Sequence, residues 1–440
     1  MTFERAVSYL DSLGVDAMKS IGPSLHRIQA ICAALDDPQR TLQAIHITGT
    51  NGKTSTARVA TSLLVSAGLS VGTYTSPHLQ TIRERICLNG VPISEDDFGE
   101  IFDHISPFVR SVEDDLGEAL TYFEILTAMF FLWAAELPVE AAVVEVGLGG
   151  RWDATNVIAA PVAVVTNVGL DHTGLLGIER TQIAREKAGI ITPEAVVVTA
   201  ERAPDVLAVI AAEAETAGAE LSVIERGFAV IDNRVALGGR YLSVRTNVRS
   251  YEDLFLPLHG AHQGVNAAVA LEAATRFIPA KELDESIVED AFASTFVPGR
   301  LETIRKERSD DPTVVLDVAH NPDGVSALVN SLAEAFAFVR VVFVVGILSD
   351  KDFRGMLSEL ARLDCTLVFT EAKSVRSVPV DELRVAAEEL GLTCEVIDDV
   401  AKAVDAAIAA ADSSELVCVT GSHYVVGEAR THLLAETRRS

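Results

Sequence analysis

Short runs of β-branched and apolar residues alternate with helical stretches along nearly the whole chain, and almost every run stops at a polar turn. Candidate strands in the first part are residues 43–48 (QAIHIT), 70–75 (SVGTYT), 141–146 (AAVVEV), 162–166 (VAVVT) and 195–199 (AVVVT). Helical patterns cover 53–67 and 121–136, and another begins near Glu179. Apolar runs this continuous suit strands covered on both faces, so the pattern predicts a mainly parallel sheet sandwiched by helices. Residues 223–249 read differently, with an alternating YLSVRT stretch and Gly-Gly and Asp-Asn turns, and predict a small antiparallel excursion. Pro298-Gly299 then interrupts the chain, since neither residue continues a helix. Beyond it the alternation restarts at 314–318, 339–345, 366–370, 394–397 and 416–420. The organisation expected is two α/β domains, 1–297 and 298–440. The second, of roughly 140 residues, is of normal domain size.

Composition narrows the function classes. The 440 residues carry 36 Lys plus Arg against 63 Asp plus Glu, a formal charge of −27. So acidic a surface repels nucleic-acid backbones and anionic lipid, while leaving room for a small anionic substrate in a locally basic cleft. The five cysteines are odd in number and form no CxxC pair, which points to reduced thiols and away from a disulfide framework or a zinc site. The first residues are acidic and lack a long apolar run, unlike a signal peptide. The longest uninterrupted apolar stretch, Ala128–Ala135, is far short of the roughly 20 residues that span a bilayer. A cytoplasmic protein without nucleic-acid or membrane partners is expected, and a monomer.

The residues that carry chemistry stand at strand ends. In Ile45–Ala57 (IHITGTNGKTSTA), a strand ends at Thr48, a turn follows, and a helix begins near Lys53. Gly49 and Gly52 let backbone N–H groups approach phosphate oxygens, the helix N-terminus adds partial positive charge, and Lys53 adds a full one. A following hydroxyl, Thr54 or Ser55, can ligate a phosphate-bridging Mg²⁺. The spacing is not that of a standard Walker A loop, which would require glycine where Ile47 stands. A plain strand–helix turn explains the glycines but not Lys53 with two hydroxyls behind it.

Four further clusters sit at comparable positions. Ser76, in Tyr74–His78, can hold metal or phosphate, although alone Ser-Pro is an ordinary turn. Glu145 lies in an apolar strand before the turn Gly147–Gly150, and a buried carboxylate wants a cation, either an arginine or a metal. Asp171-His172 follows the strand 162–166 and brings a second candidate ligand. Lys187, in Glu186–Ile190, reads from sequence alone as a dipole partner at a helix C-terminus. In the second half, Asp317 and His320 end a strand, Arg300 follows the Pro-Gly break, and Ser422 ends the last strand. Before the break, His262 and Asn266 share a helix face, where Asn266 can read an adenine edge or remain solvated.

Taken together, GTNGKTS, TSPHL, EVGLGGRWDATN, GLDHT, EKAGI, HQGVNAA, PGRLE, DVAHNP and DKD, in this order, strongly resemble the folylpolyglutamate synthase/dihydrofolate synthase family of the Mur ligase superfamily. The resemblance runs from Gly49 to at least Tyr424. It implies a P-loop-containing parallel-sheet ATPase domain followed by a smaller Rossmann-like α/β glutamate-ligase domain. It also implies an ATP-dependent amide ligase that makes an acyl phosphate and lets L-glutamate attack it. The acid would be dihydropteroate, a reduced folate with its γ-carboxyl, or both. Its residues would be distributed as follows. Gly49, Thr50, Asn51, Gly52, Lys53, Thr54 and Ser55 cradle the ATP phosphates. Asn266, Arg300 and Asp317 meet adenine, phosphate and ribose. Thr54, Ser76 and Glu145 hold one Mg²⁺, and His172 helps hold a second. Lys187 is the lysine carbamylated in the family, and His320 and Ser422 lie near the incoming glutamate. The pterin side involves the stretch Ser20–Leu35, with Leu25 and Arg27, then Thr121, Tyr122, Phe123 and Glu124, then Trp152, Asp153 and Ala154. Two departures stand out: Lys53-Thr54-Ser55 in place of the common Lys-Gly-hydroxyl, and Trp152 where leucine is common.

Two other readings compete. Peptidoglycan-type Mur ligases usually carry a nucleotide-sugar domain of about 100 residues before the phosphate loop, and only some 46 residues precede it here, too few for such a domain. A non-catalytic ATP-binding module is the other, and the presence of Lys53, Glu145 and His172 argues against it.

Overall fold

A computed structural model describes residues 2–14, 24–278, 283–304 and 311–437. The segment Ser20–Pro23, expected beside the pterin, lies outside the described residues. Contacts divide the chain into two compact units. One comprises Met1–Asp232, Leu242–Phe255 and Val265–Thr295, and the other Asn233–Tyr241, Leu256–Gly264 and Phe296–Ser440.

The first unit is built on β1 (Ala44–Thr48), β2 (Val71–Tyr74), β3 (Ile86–Leu88), β4 (Val91–Pro92), β5 (Ala141–Glu145), β6 (Val162–Val165), β7 (Val196–Thr199) and β8 (Glu220–Val223). Their order is β4-β3-β2-β5-β1-β6-β7-β8. The pairs from β2 to β8 are all parallel, while β3 and β4 extend the edge antiparallel. Every residue of β1 and β5 is buried, which is why their sequences show no alternation. Chain order reverses at β1, with β5 and β2 on one side and β6 to β8 on the other. In such sheets ligands bind beyond the strand C-termini at the reversal, and Gly49 begins there.

The helix Tyr122–Glu136 covers one face and is apolar almost all round, with Ile125, Met129, Phe130 and Phe131 fully buried. Each such side chain stabilises the fold by roughly 2 kcal/mol. Thr121 and Glu124 form a reciprocal capping box at its start, worth about 1 kcal/mol.

Strands β9 (Ala229–Ala236), β10 (Gly239–Arg245) and β11 (Ser250–Leu256) form a separate three-stranded sheet in the order β11-β10-β9, where the excursion was expected. The second unit carries β12 (Glu302–Ile304), β13 (Thr313–Leu316), β14 (Val341–Val345), β15 (Cys365–Phe369), β16 (Thr393–Val396) and β17 (Leu416–Thr420), ordered β12-β13-β17-β14-β15-β16. All its pairs are parallel except β12 with β13. Among the described residues no helix is long and apolar enough to cross a membrane. The five cysteines are free thiols.

Candidate active site

The turn between β1 and the helix Lys53–Ser66 is fixed by sterics before any ligand is considered. A Cβ on Gly49 would lie 1.7 Å from Thr166 Oγ1, and one on Gly52 would lie 2.4 Å from Asn266 Oδ1. Gly52 also has φ +84°, a conformation that favours glycine. The loop is braced from the end of β6. Thr50 N–H donates to Asn167 O at 3.0 Å, Asn51 N–H to Asn167 Oδ1 at 3.1 Å, and Thr166 Oγ1 to Asn51 O at 2.7 Å. Thr50 Oγ1 accepts from Gly169 N–H at 2.9 Å. Asn266, from the helix Ala261–Phe277, is therefore packed onto the phosphate loop, and Thr166 and Asn167 supply a support that motif reading did not single out.

Two lysines meet at one carbonyl. Lys53 Nζ donates to Gly49 O at 3.1 Å and to Thr50 O at 3.3 Å, and Lys187 Nζ donates to the same Gly49 O at 2.9 Å. Lys187 is not a solvated residue at a helix end. It is 4% exposed, and its side chain runs from the helix Arg180–Ala188 into the phosphate loop. Burial, and then the neighbouring Lys53 charge, pull its ammonium down from 10.5 to about 7, partly opposed by Asp171, Glu186 and Asp153. Gly150 makes this approach feasible, because a Cβ there would lie 2.7 Å from Lys187 O and 2.8 Å from Glu186 O. Arg151 N–H seals the contact by donating to Glu186 O at 2.9 Å.

Glu145 closes β5 and is 1% exposed. Thr54 Oγ1 donates to both of its carboxylate oxygens at 3.0 Å, and Ser76 N–H to Oε2 at 3.2 Å. The phosphate-loop hydroxyl of Thr54 and the backbone N–H of Ser76 at the β2 end thus converge on one carboxylate, and Glu145 with the Thr54 and Ser76 hydroxyls offers oxygen donors of the kind Mg²⁺ accepts together with phosphate and water. Ser55 is buried, and its Oγ has no partner among the described residues, so it is an orphan that a phosphate oxygen would satisfy. Among the described residues no three or more His, Cys, Asp or Glu side chains are grouped so as to hold a metal ion by themselves. His172 is one-third exposed at φ +50°, with Nε2 3.9 Å from Asp171 Oδ2.

The residues expected at the pterin divide into two groups. Arg27 and Glu124 are buried and paired with each other, Arg27 Nε lying 3.0 and 3.2 Å from the two carboxylate oxygens. Asp153 is buried and turned inward, accepting from Leu148 N–H at 2.9 Å and Thr155 N–H at 3.0 Å, and Ala154 is buried beside it. Burial raises the Asp153 carboxyl, and the hydrogen bond from Thr155 is the largest opposing effect. Leu25 is half-buried on the core, and Thr121 and Tyr122 are buried. Phe123 is partly open and lies over Gly147, where a Cβ would fall 2.5 Å from its ring. Trp152 is 45% exposed.

In the second unit, polar groups gather beyond the C-termini of the adjacent strands β13 and β17. Asp317 is buried and accepts from Leu301 N–H and Ala319 N–H, both at 2.9 Å. Burial raises its carboxyl, against the pull of Arg300. Arg300 Nη2 lies 3.5 Å from His423 Nε2, and the His423 and His320 rings are 5.2 Å apart. His320 Nδ1 lies 2.8 Å from Val318 O, which leaves Nε2 as the outer ring nitrogen. Ser422 is buried, and its Oγ accepts from Val425 N–H at 3.2 Å, capping the helix His423–Thr437.

Comparisons with known proteins agree with this geometry. Residues 47–274 match the Mur ligase middle domain and residues 299–423 the Mur ligase glutamate ligase domain. The dihydrofolate synthase/folylpolyglutamate synthase of Mycobacterium tuberculosis is 40% identical over 443 residues, covering 93% of this chain and 90% of the relative. The solved structure of Mycobacterium tuberculosis folylpolyglutamate synthase complexed with ADP superposes with a TM-score of 0.91 at 39% identity, over 98% of both chains. Escherichia coli FolC in complex with DHPP and ADP gives 0.87 at 33% identity, over 100% of this chain and 99% of that one. The chain belongs to the dihydrofolate synthase/folylpolyglutamate synthase family of Mur ligases.

Proposed function

We propose that this protein uses ATP to join L-glutamate to dihydropteroate, and to the γ-carboxyl of reduced folates, through an acyl phosphate. The observation that carries the reading is the convergence of Lys53, Lys187, Thr54, Ser76 and Glu145 on a sterically fixed phosphate loop. It is joined by the family membership of the whole chain. A carboxylate oxygen of the acid attacks the γ-phosphorus and ADP leaves. The glutamate amine then adds to the acyl carbon, and inorganic phosphate departs from the tetrahedral adduct as the amide forms. The protein's part is positioning and charge neutralisation. Backbone N–H groups of Gly49–Ser55 and the helix N-terminus hold the phosphates, Lys53 swings from its loop carbonyls to the transferring group, and Asn266 meets the adenine.

Mg²⁺ would be held by Thr54, Ser76 and Glu145, with His172 toward a second ion, and would neutralise phosphate charge when bound. Arg300 and Asp317 serve the phosphate and ribose, and His320 and Ser422 the incoming glutamate. Phe123 and Trp152 offer the partly open aromatic surface for the pterin. Lys187 is a carbamylation site: burial and the Lys53 charge pull its ammonium down to about 7, so a large share of the amine is neutral near neutral pH, and Nζ bonds the carbon of CO₂ while losing a proton. The cytoplasm suits five free thiols.

Mass analysis of products tests the reading, using ATP, Mg²⁺ and glutamate with either dihydropteroate or tetrahydrofolate. Addition of at least one glutamyl residue to each acid is expected. No amide product from either, with nucleotide still bound, would leave only an ATP-binding module.

A further inference from the structure

Arg85 is a buried cation whose guanidinium is only half used. It is 5% exposed and sits immediately before β3, beside the C-terminal end of β2. Thr75 N–H donates to its carbonyl at 3.0 Å, so its backbone is tied to the edge of the sheet where ligands bind. Its Nε donates to His78 Nδ1 at 2.9 Å, and its guanidinium carbon lies 5.3 Å from the centre of the Tyr122 ring. The receiving nitrogen is unprotonated, so His78 orients the fork without neutralising it. Among the described residues neither terminal nitrogen reaches an acceptor.

The carboxylates of neighbouring segments are engaged elsewhere. Glu84 accepts from Leu79, Gln80 and Thr81 N–H at 2.8–3.0 Å. Glu124 takes Arg27 and Thr121 N–H, and Glu145 takes Thr54 and Ser76 N–H. A desolvated charge with two idle donors is costly unless something anionic completes it. The turn that carries Arg85 is rigid, held by the Thr81–Glu84 capping box, so the fork is pre-set. A planar guanidinium with parallel N–H groups fits a carboxylate better than a point charge would. Tyr122 flanks it, next to the partly open Phe123, which suits an acid attached to an aromatic ring.

We infer that Arg85 grips a carboxylate of the acid substrate through its two terminal nitrogens. This rests on the folate-type acid proposed above. Two carboxylates offer the same chemistry: the one to be activated, present in dihydropteroate, and the α-carboxylate of an existing glutamyl tail.

Equilibrium binding to the full-length protein distinguishes them, with dihydropteroate, dihydropteroate carboxamide and tetrahydrofolate as probes, and ATP affinity as the check on folding. Arg85→Gln should weaken at least one acid by about 10- to 100-fold, the equivalent of one charged hydrogen-bonded pair. It should leave the carboxamide within about twofold and ATP unchanged. Weakened dihydropteroate places the fork on the activated carboxylate, and weakened tetrahydrofolate alone places it on the tail. Unchanged affinity for both acids, or an equal loss for the carboxamide, overturns the assignment. If Arg85→Gln fails to bind ATP, Arg85→Lys decides by the same criteria, because it keeps the charge and loses the fork. A wild-type protein that binds neither acid would instead refute the proposed function. An active wild type with indifferent Arg85 variants refutes only this inference.

Discussion

Replacing Lys187 with methionine should make the protein more stable and nearly inactive. The side chain is 4% exposed, and burial with the nearby Lys53 charge brings its ammonium from 10.5 to about 7. At pH 8 the unfolded chain carries that proton and the folded chain mostly does not, so folding must release it. The cost is about 1.4 kcal/mol per pH unit below 10.5, or about 3 kcal/mol at pH 8. Methionine keeps an apolar stem of similar length and loses the hydrogen bond to Gly49 O, worth roughly 1 kcal/mol. A net gain of about 2 kcal/mol follows. The sign has a pH signature. A depressed lysine penalises folding fully below pH 7, progressively less between 7 and 10.5, and not at all above. The advantage of the variant should therefore shrink as pH rises through that window. Urea unfolding of both proteins in CO₂-free buffer at pH 7, 8 and 9, beside phosphate release with both substrates, measures it. A variant less stable than wild type at pH 8, or a difference that ignores pH, would refute the buried-amine reasoning.

Three further outcomes are expected. Lys53→Ala should lower the rate by about 100-fold or more while shifting the thermal midpoint little, since the residue sits half-buried at the first position of its helix and not in the core. Near-normal turnover would remove it from the phosphate-transfer step. Gly150→Ala forces the new Cβ against Lys187 O and Glu186 O, so it should cost about 1–3 kcal/mol of stability and displace Lys187, lowering kcat by roughly 100-fold. A fully active variant would mean that this close packing is not needed. Wild-type activity should fall in CO₂-depleted buffer and return with bicarbonate, with a carbamate carbon signal that grows as pH rises above about 7, where the amine is neutral. Lys187→Ala should lack both the signal and the rescue, and full activity in that variant would reject the modification.

How much of this was legible beforehand depended on the kind of signal each residue leaves. Buried parallel strands announce themselves as unbroken apolar runs, and so β1, β5, β6, β7, β13, β14 and β17 lie within one or two residues of the reading, as do β15 and the more exposed β16. The edge strands β3, β4 and β12 are two or three residues long and antiparallel, too short for any periodicity, and went unread. The phosphate loop was legible because glycine, lysine and hydroxyl at fixed spacing have a common physical purpose. Lys187 was not legible from its own helix, because its partner Gly49 lies 138 positions away in sequence. For the same reason nothing local marked Thr166 as the wall that forces glycine at position 49, or Arg85 as a half-satisfied cation. The partners of such residues are set by tertiary packing. Arg27 and Glu124 were read as facing the pterin, and the structure joins them as a buried pair, a relationship that spans 97 positions and leaves no local trace.

The central claim is that a carboxylate becomes an acyl phosphate at the Gly49–Ser55 loop before nitrogen attacks. Dihydropteroate labelled with ¹⁸O in both carboxylate oxygens tests it directly. With ATP and glutamate, the inorganic phosphate released should carry one heavy oxygen for each amide bond formed, the other remaining in the product carbonyl. Unlabelled phosphate accompanying normal amide formation would contradict the account.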